Sequence, residues 1–285
     1  MSEQTQQPRL SVQKLTTVFH TRAGRFVAVD NVSFDVYPGE CLGIVGESGS
    51  GKSVAALSIM GLVDYPGTIE SGTIDFAGSN LRTLSEDQLR KVRGEEIGII
   101  FQDPQTSLNP LFTVGTQLTD VVRAHRKMSK SDAASLAIDK LRLVGISAPE
   151  SRMKAYPWEL SGGQRQRVAI AMALLLGPKL IIADEPVSAL DVSIQAQVIN
   201  LLMDLQKQNN LSYLFIAHDL AVVAHISHRI AVMYLGKIVE FADRNTLFAD
   251  PRHPYTQALL SAVPVADPKL KRDKQVLTGD VPSPM

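Results

Sequence analysis

The segment GESGSGKS, residues 46–53, spaces glycine, lysine and serine as G-x-x-x-x-G-K-[ST]. Glycines at 46, 49 and 51 allow backbone torsions that a Cβ resists, so successive N–H groups, Ser48 among them, can converge on anionic oxygens. Cys41–Val45 before the turn reads as a short buried strand, and residues 54–62 have the apolar density of a helix packed on a sheet. That strand–loop–helix order turns the pattern into a phosphate cradle, with the positive end of the helix added to the loop. Lys52 would then reach the β- and γ-phosphates, and the Ser53 hydroxyl would ligate Mg²⁺. The plain alternative is a glycine-rich turn with an exposed lysine, which the flanking elements argue against. The loop alone leaves kinase, GTPase, motor and transporter open.

Two further clusters could act on the same phosphates. The apolar run at residues 179–183 ends in Asp184 and Glu185, and an acid pair leaving a buried strand is costly without compensation. Mg²⁺ supplies it: Asp184 can hold the ion, and Glu185 is placed to polarise a water in line with the γ-phosphate. In LSGGQRQR, residues 160–167, a serine and two glycines open a helix, which makes a second anion site. A helix cap by Ser161, with glycines for close packing, would equally explain those residues. His218 closes the apolar run 213–217 and, taken alone, reads as a structural strand-end residue.

The whole chain sets the bounds. Its 285 residues can bury a large core as one big domain or two small ones. With 29 basic and 29 acidic residues there is no electrostatic case for nucleic acid or an anionic membrane surface. The polar start, MSEQTQQPRL, lacks the order of a signal peptide, and the most apolar stretch, 168–176, has about half the length needed to span a bilayer. The expectation is a soluble cytoplasmic protein that meets a membrane only through partners. A single cysteine, Cys41, excludes intrachain disulfides and multi-cysteine metal sites, and its place in an apolar strand points to core packing.

The positioning elements follow from periodicity. Residues 10–19 and 26–36 read as an antiparallel hairpin, with further strands at 73–76, 97–101, 180–183, 213–217, 230–234 and 237–240. Helical spacing covers 113–145, with polar loops near 127–132 and 147–151, then 161–176 and 192–208. Alternating strands and helices argue for a parallel α/β sheet, interrupted by a helical insertion between 101 and 180. The polar tail after Val265 reads as irregular.

The loop and the LSGGQRQR segment together resemble the ATP-binding cassette (ABC) ATPases, and the likeness covers nearly the whole chain. It implies an α/β P-loop NTPase (RecA-like) core with an antiparallel β subdomain and a helical subdomain at about 104–177. The cassette would span 1–265, with an irregular extension over 266–285. It further implies that Ser161, Gly162, Gly163 and Gln164 close over ATP held by a partner's P-loop. Gln102 falls at the family's Q-loop, which contacts Mg²⁺ and the attacking water. Residues 188–191, ending in Asp191, match the D-loop that crosses the dimer interface, and His218 matches the switch histidine at the γ-phosphate. An aromatic of the N-terminal hairpin stacks on adenine in the family; Phe19 has the better register and Phe26 is the fallback, although either could be hairpin core.

Three stretches, IFQDPQTSLNPLFTVG (100–115), ADEPVSALDVSIQAQVINLL (183–202) and PRHPYTQALLSAVP (251–264), resemble the ATPase subunits of bacterial dipeptide and oligopeptide permeases. The resemblance implies ATP and Mg²⁺ and a second ATPase subunit, more often a paralogue than a second copy. It also implies two integral membrane permease subunits, an extracytoplasmic substrate-binding protein and no nucleic acid. The chain would then sit peripherally on the cytoplasmic face of the inner membrane. Segments of it resemble both ATPase subunit types, so the type stays open, and nickel and glutathione importers belong to the same group. Rival classes are a soluble ABC ATPase acting on ribosomes or DNA, and a phosphotransferase. Such permease subunits usually continue past a segment like LTGDVPSPM (277–285) into a cysteine-rich tail, which in some carries an iron–sulfur cluster. Here no cluster is expected, and a chain ending there is either naturally short or truncated.

Overall fold

The computed structural model describes residues 7–22, 24–103 and 107–262. The extension expected at 266–285 lies outside them, as do residues 104–106 at the start of the expected helical insertion. The chain divides into two compact units, one of residues up to Leu84 with those from Ser212 onward, the other Ser85–Leu211.

In the first unit, β1 (Leu10–Thr21) and β2 (Gly24–Val36) form the expected hairpin, with Leu10 opposite Val36 and Phe19 opposite Phe26. Leu10, Val12, Leu15 and Val18 are fully buried. Next comes β3 (Cys41–Val45), in which all five residues are buried, as expected of a parallel strand covered on both faces. Cys41 is core, as its position suggests, and burial pushes its thiol up to about 12. The helix Lys52–Met60 follows the glycine loop and ends where Gly61 turns left-handed (φ 62°). There the Leu62 amide donates to the Leu57 carbonyl at 2.8 Å. β4 (Gly67–Phe76) and β5 (Ser79–Asn80) complete an antiparallel sheet of order β2-β1-β4-β5.

Unit two contributes β6 (Ile97–Ile100) and β7 (Leu180–Asp184), which pair in parallel with Ile100 opposite Ala183. Between them the described residues hold no strand; they carry the helices Val114–His125, Lys130–Leu143, Pro149–Arg152 and Gly162–Leu174. The longer helices begin where a side chain can cap them: Thr113, Ser129 and Ser161, with Asp191 doing the same for Val192–Asn209. In the first unit again, β8 (Ser212–Ala217) and β9 (Arg229–Tyr234) flank β3 in parallel, and β10 (Lys237–Asp243) runs antiparallel to β9.

Five short or polar helices were not legible from apolar spacing: Glu86–Glu95, Pro149–Arg152 where a polar loop was expected at 147–151, Leu220–Ile226, Arg244–Ala249 and Pro254–Ala262. Glu86–Glu95 buries no residue and carries only Leu89 and Val92 as apolar side chains; its readable signal was the capping box between Ser85 and Gln88. Among the described residues no helix is long and apolar enough to cross a membrane.

Two helices meet closely in the second unit. A Cβ on Gly163 would lie 2.8 Å from Ile194 Cγ2, whereas on Gly162 its nearest neighbour would be Leu190 Cδ2 at 3.8 Å. Gly163→Ala is therefore expected to cost about 1–3 kcal/mol of overpacking in urea unfolding, and Gly162→Ala to leave stability nearly unchanged. In an Ile194→Ala background most of the Gly163→Ala penalty should vanish, since the two residues meet directly.

Candidate functional site

The glycine loop leaves β3 at Val45. In the parallel register Val45 lies level with Ala217 of β8 and Val232 of β9. Gly46 and exposed His218 therefore follow the carboxyl ends of β3 and β8, level with Met233 near the carboxyl end of β9, at the edge where open α/β sheets bind ligands.

Close backbone packing fixes the loop. A Cβ on Gly46 would stand 2.2 Å from the Met233 carbonyl oxygen, and one on Gly51 2.2 Å from that of Ala28 in β2. Gly51 also adopts φ 101°, while Gly49 has φ 82° in open space and is constrained by torsion alone. The Gly236 amide, in the turn between β9 and β10, donates to the Ser50 carbonyl at 3.0 Å. Glu47, Ser48 and Gly49 form the exposed apex. Lys52 is only 4% exposed, and its Nζ donates to the carbonyls of Gly46 (2.7 Å) and Glu47 (2.8 Å). The ammonium thus stands against the carbonyls of the loop, and half-buried Ser53 lies in the first helical turn. A cradle that a Cβ would fill, with a cation beside it, suits a polyphosphate.

Phe19 and Phe26 face each other with ring centroids 6.3 Å apart, both half-buried. Phe19 lies over Gly67, where a Cβ would come 2.8 Å from its ring. The strand that touches the glycine loop, through Ala28, is the one carrying Phe26.

The second unit holds the carboxylates. Asp184 ends β7 and is 7% exposed. Glu185 follows at φ 44°, a left-handed torsion uncommon outside glycine. Its carbonyl accepts from the Ser188 amide (3.2 Å) and hydroxyl (3.0 Å), which closes the turn after β7. Gln102, two residues beyond β6, donates from Nε2 to Glu185 Oε2 at 3.0 Å. The parallel register of β6 and β7 brings these two side chains together across 83 residues of sequence. Asp184 is a hard oxygen donor of the kind Mg²⁺ takes, as is the Ser53 hydroxyl.

Ser161 caps the helix Gly162–Leu174: its hydroxyl accepts from the Gln164 amide (3.3 Å), and Gln164 Oε1 accepts from the Ser161 amide (3.1 Å). Both residues are therefore committed to a capping box, and Ser161 remains exposed at a helix N-terminus. Asp191 caps the next long helix in the same way. The Ile194 amide at 3.0 Å and then the Ser193 hydroxyl at 2.8 Å hold its carboxyl below the usual carboxylate range. Sequence reasoning missed Gln195, whose Nε2 donates to the carbonyls of Val187 and Leu190 and pins the loop that leads to Asp191. Its only signal was a position four residues beyond the cap.

Comparison with known proteins places these features. The ABC transporter family profile matches residues 29–188, and a profile described as the oligopeptide/dipeptide transporter C-terminal region matches 239–285. The chain is 52% identical over 270 residues to the dipeptide transport ATP-binding protein DppD of Escherichia coli (strain K12), covering 95% of this chain and 81% of that protein. It is 50% identical over 274 residues to the oligopeptide transport ATP-binding protein OppD of Bacillus subtilis (strain 168), covering 96% and 76%. Among solved structures, the ATP-binding cassette MJ0796, described as a dimer in a post-hydrolysis state bound to ADP and Pi, is similar at TM-score 0.73 and 28% identity. That match covers 82% of this chain and 98% of that one. The core is thus the RecA-like mixed α/β P-loop fold with an antiparallel sheet and helical insertions. The chain belongs to the ATP-binding subunits of ABC transporters, closely matching those of dipeptide and oligopeptide permeases, and is an ATPase that couples ATP hydrolysis to transport.

Proposed function

We propose that this chain powers a bacterial importer of di- or oligopeptides. The observation that carries the reading is the extent of the likeness: half-identity to peptide-permease ATPases runs through the cassette and into the C-terminal region profile. The chain would pair with a second ATPase subunit, a paralogue or another copy, beneath two membrane permease subunits served by an extracytoplasmic binding protein. It would sit on the cytoplasmic face of the membrane, and the cassette would occupy residues 1–265, with its helical subdomain at about 104–177.

Each residue has a distinct task. Loop amides between Gly46 and Gly51, other than those of Glu47 and Ser50 that bond within the protein, bind and orient the β- and γ-phosphates with Lys52, and the hairpin aromatic, Phe19 or Phe26, stacks on adenine. Ser53, Asp184 and Gln102 would hold Mg²⁺, which supplies charge neutralisation on the phosphate oxygens when bound. Glu185 takes the proton of the attacking water, and the Gln102 amide orients its carboxylate. His218 donates to the γ-phosphate. Ser161, Gly162, Gly163 and Gln164 present a helix start to the ATP of a facing subunit, and Asp191 stiffens the loop that crosses to it. The dimer described for MJ0796 supports pairing of two such subunits.

Glu185→Gln removes the base and leaves the phosphate contacts, so it should bind ATP, accumulate as a dimer on size exclusion and lose about 10²–10⁴-fold in turnover. Lys52→Ala should instead raise the dissociation constant for ATP by about 10–100-fold, the scale of a charge-assisted hydrogen bond. Wild-type hydrolysis by Glu185→Gln would remove that residue from the mechanism.

Mixing Ser161→Arg chains with Lys52→Ala chains tests sharing of sites, because one composite site is then intact. Recovered ATPase activity is expected. Strictly first-order activity with no rescue would refute it. Co-purification with integral membrane subunits and import of labelled dipeptide test the transport assignment, and recovery with ribosomes alone would overturn it.

A further inference from the structure

The helix Pro254–Ala262, which periodicity did not reveal, reaches the glycine loop. Tyr255 is 3% exposed, and its hydroxyl accepts the amide proton of Glu47 at 2.9 Å. Glu47 is the second residue of the loop. Its carbonyl holds Lys52 Nζ at 2.8 Å and also accepts from the Ser50 amide at 3.2 Å. The Gly46–Glu47 peptide group is thus tied to the lysine through the Gly46 carbonyl, at 2.7 Å, and to Tyr255 through the Glu47 amide.

Tyr255 is itself held in place. Its ring packs on Tyr234, with centroids 4.4 Å apart, and Tyr234 ends the strand whose next turn contacts Ser50. Upstream, the Glu240 carboxylate in β10 accepts the amides of Arg252 (2.8 Å) and His253 (2.9 Å). Burial would raise the Glu240 carboxyl, but the Arg252 amide, the Thr256 hydroxyl and the His253 amide hold it below the usual carboxylate range. His253 Nδ1 accepts the Tyr255 amide at 3.1 Å and caps the helix. A continuous set of bonds therefore runs from β10 through residues 252–255 to the glycine loop. The segment lies within the region matched by the oligopeptide/dipeptide transporter C-terminal profile.

We propose that Tyr255 is a positioning residue of the phosphate loop, and that ATP affinity depends on docking of the 252–262 segment through the Tyr255–Glu47 hydrogen bond. The inference rests on the reading that the loop binds ATP. A loop whose amides must converge on phosphate loses affinity when one of its peptide groups is released, because the bound conformation is then only one of several. The ring of Tyr255 supplies packing, and its hydroxyl is the atom that holds the Glu47 amide.

The test uses the full chain and fluorescently labelled ATP. Tyr255→Phe keeps the ring on Tyr234 and should raise the dissociation constant by about three- to tenfold, the scale of one hydrogen bond. ATPase turnover at saturating ATP should be unchanged, since Glu185 is untouched. Hydrogen exchange at the Glu47 amide should accelerate. Glu240→Ala, which undocks the segment, should weaken ATP to a similar extent, and the double variant should be no worse than either. Gln257→Ala removes a bond within the same helix, from Gln257 Nε2 to the Pro251 carbonyl at 2.9 Å, and should lower thermal stability without changing ATP affinity. An unchanged or tighter dissociation constant in Tyr255→Phe would overturn the proposal, as would an equal loss in Gln257→Ala. Failure of the wild-type chain to bind ATP would instead overturn the nucleotide reading.

Discussion

Backbone-on-backbone contact at the glycine loop is the constraint on which the rest depends. Gly46 sits against the Met233 carbonyl and Gly51 against that of Ala28, so the loop has no room for a Cβ at either end. This fixes where β9 and β2 must lie. The level register of β3, β8 and β9 then places His218 and the β9–β10 turn at the same edge. Lys52, buried at 4% exposure, is tolerated there because loop carbonyls take up its ammonium.

The second unit solves a related problem with carboxylates. Asp184 and Glu185 emerge from a strand in which every residue is buried, and the chain turns sharply at Glu185 with a left-handed torsion. Two bonds from Ser188 to the Glu185 carbonyl stabilise that turn, and the Gln102 amide takes the side chain. Strain of this kind persists only where surrounding contacts over-determine it. The same residue types serve twice in the helix caps: Ser161 and Asp191 satisfy orphan amides of their own helices while standing at exposed positive helix ends.

The C-terminal segment extends the first constraint beyond the sheet. Through Glu240, His253 and Tyr255 it adds a side-chain clamp to a loop already held by backbone contacts and by Lys52. In an ATPase that works as one subunit of a transporter, the loop's geometry is thereby linked to a segment outside the catalytic motifs.

By itself the sequence determined the local chemistry: the glycine loop, the acid pair at a strand end, the capping serine, and the buried strands Cys41–Val45 and Leu180–Asp184. These were legible because each is dictated over a few residues by torsion, capping or continuous burial. The ABC resemblance then ordered Gln102, Asp191 and His218. Helix Glu86–Glu95 was hidden because it buries nothing, and Pro254–Ala262 because only Tyr255 and Thr256 are buried. Only the tertiary structure decided that Gly163 must be small against Ile194, that Gln102 meets Glu185, and that Tyr255 holds Glu47 across 208 residues. Those contacts depend on strand register and on the approach of distant backbones, and no local spacing encodes either.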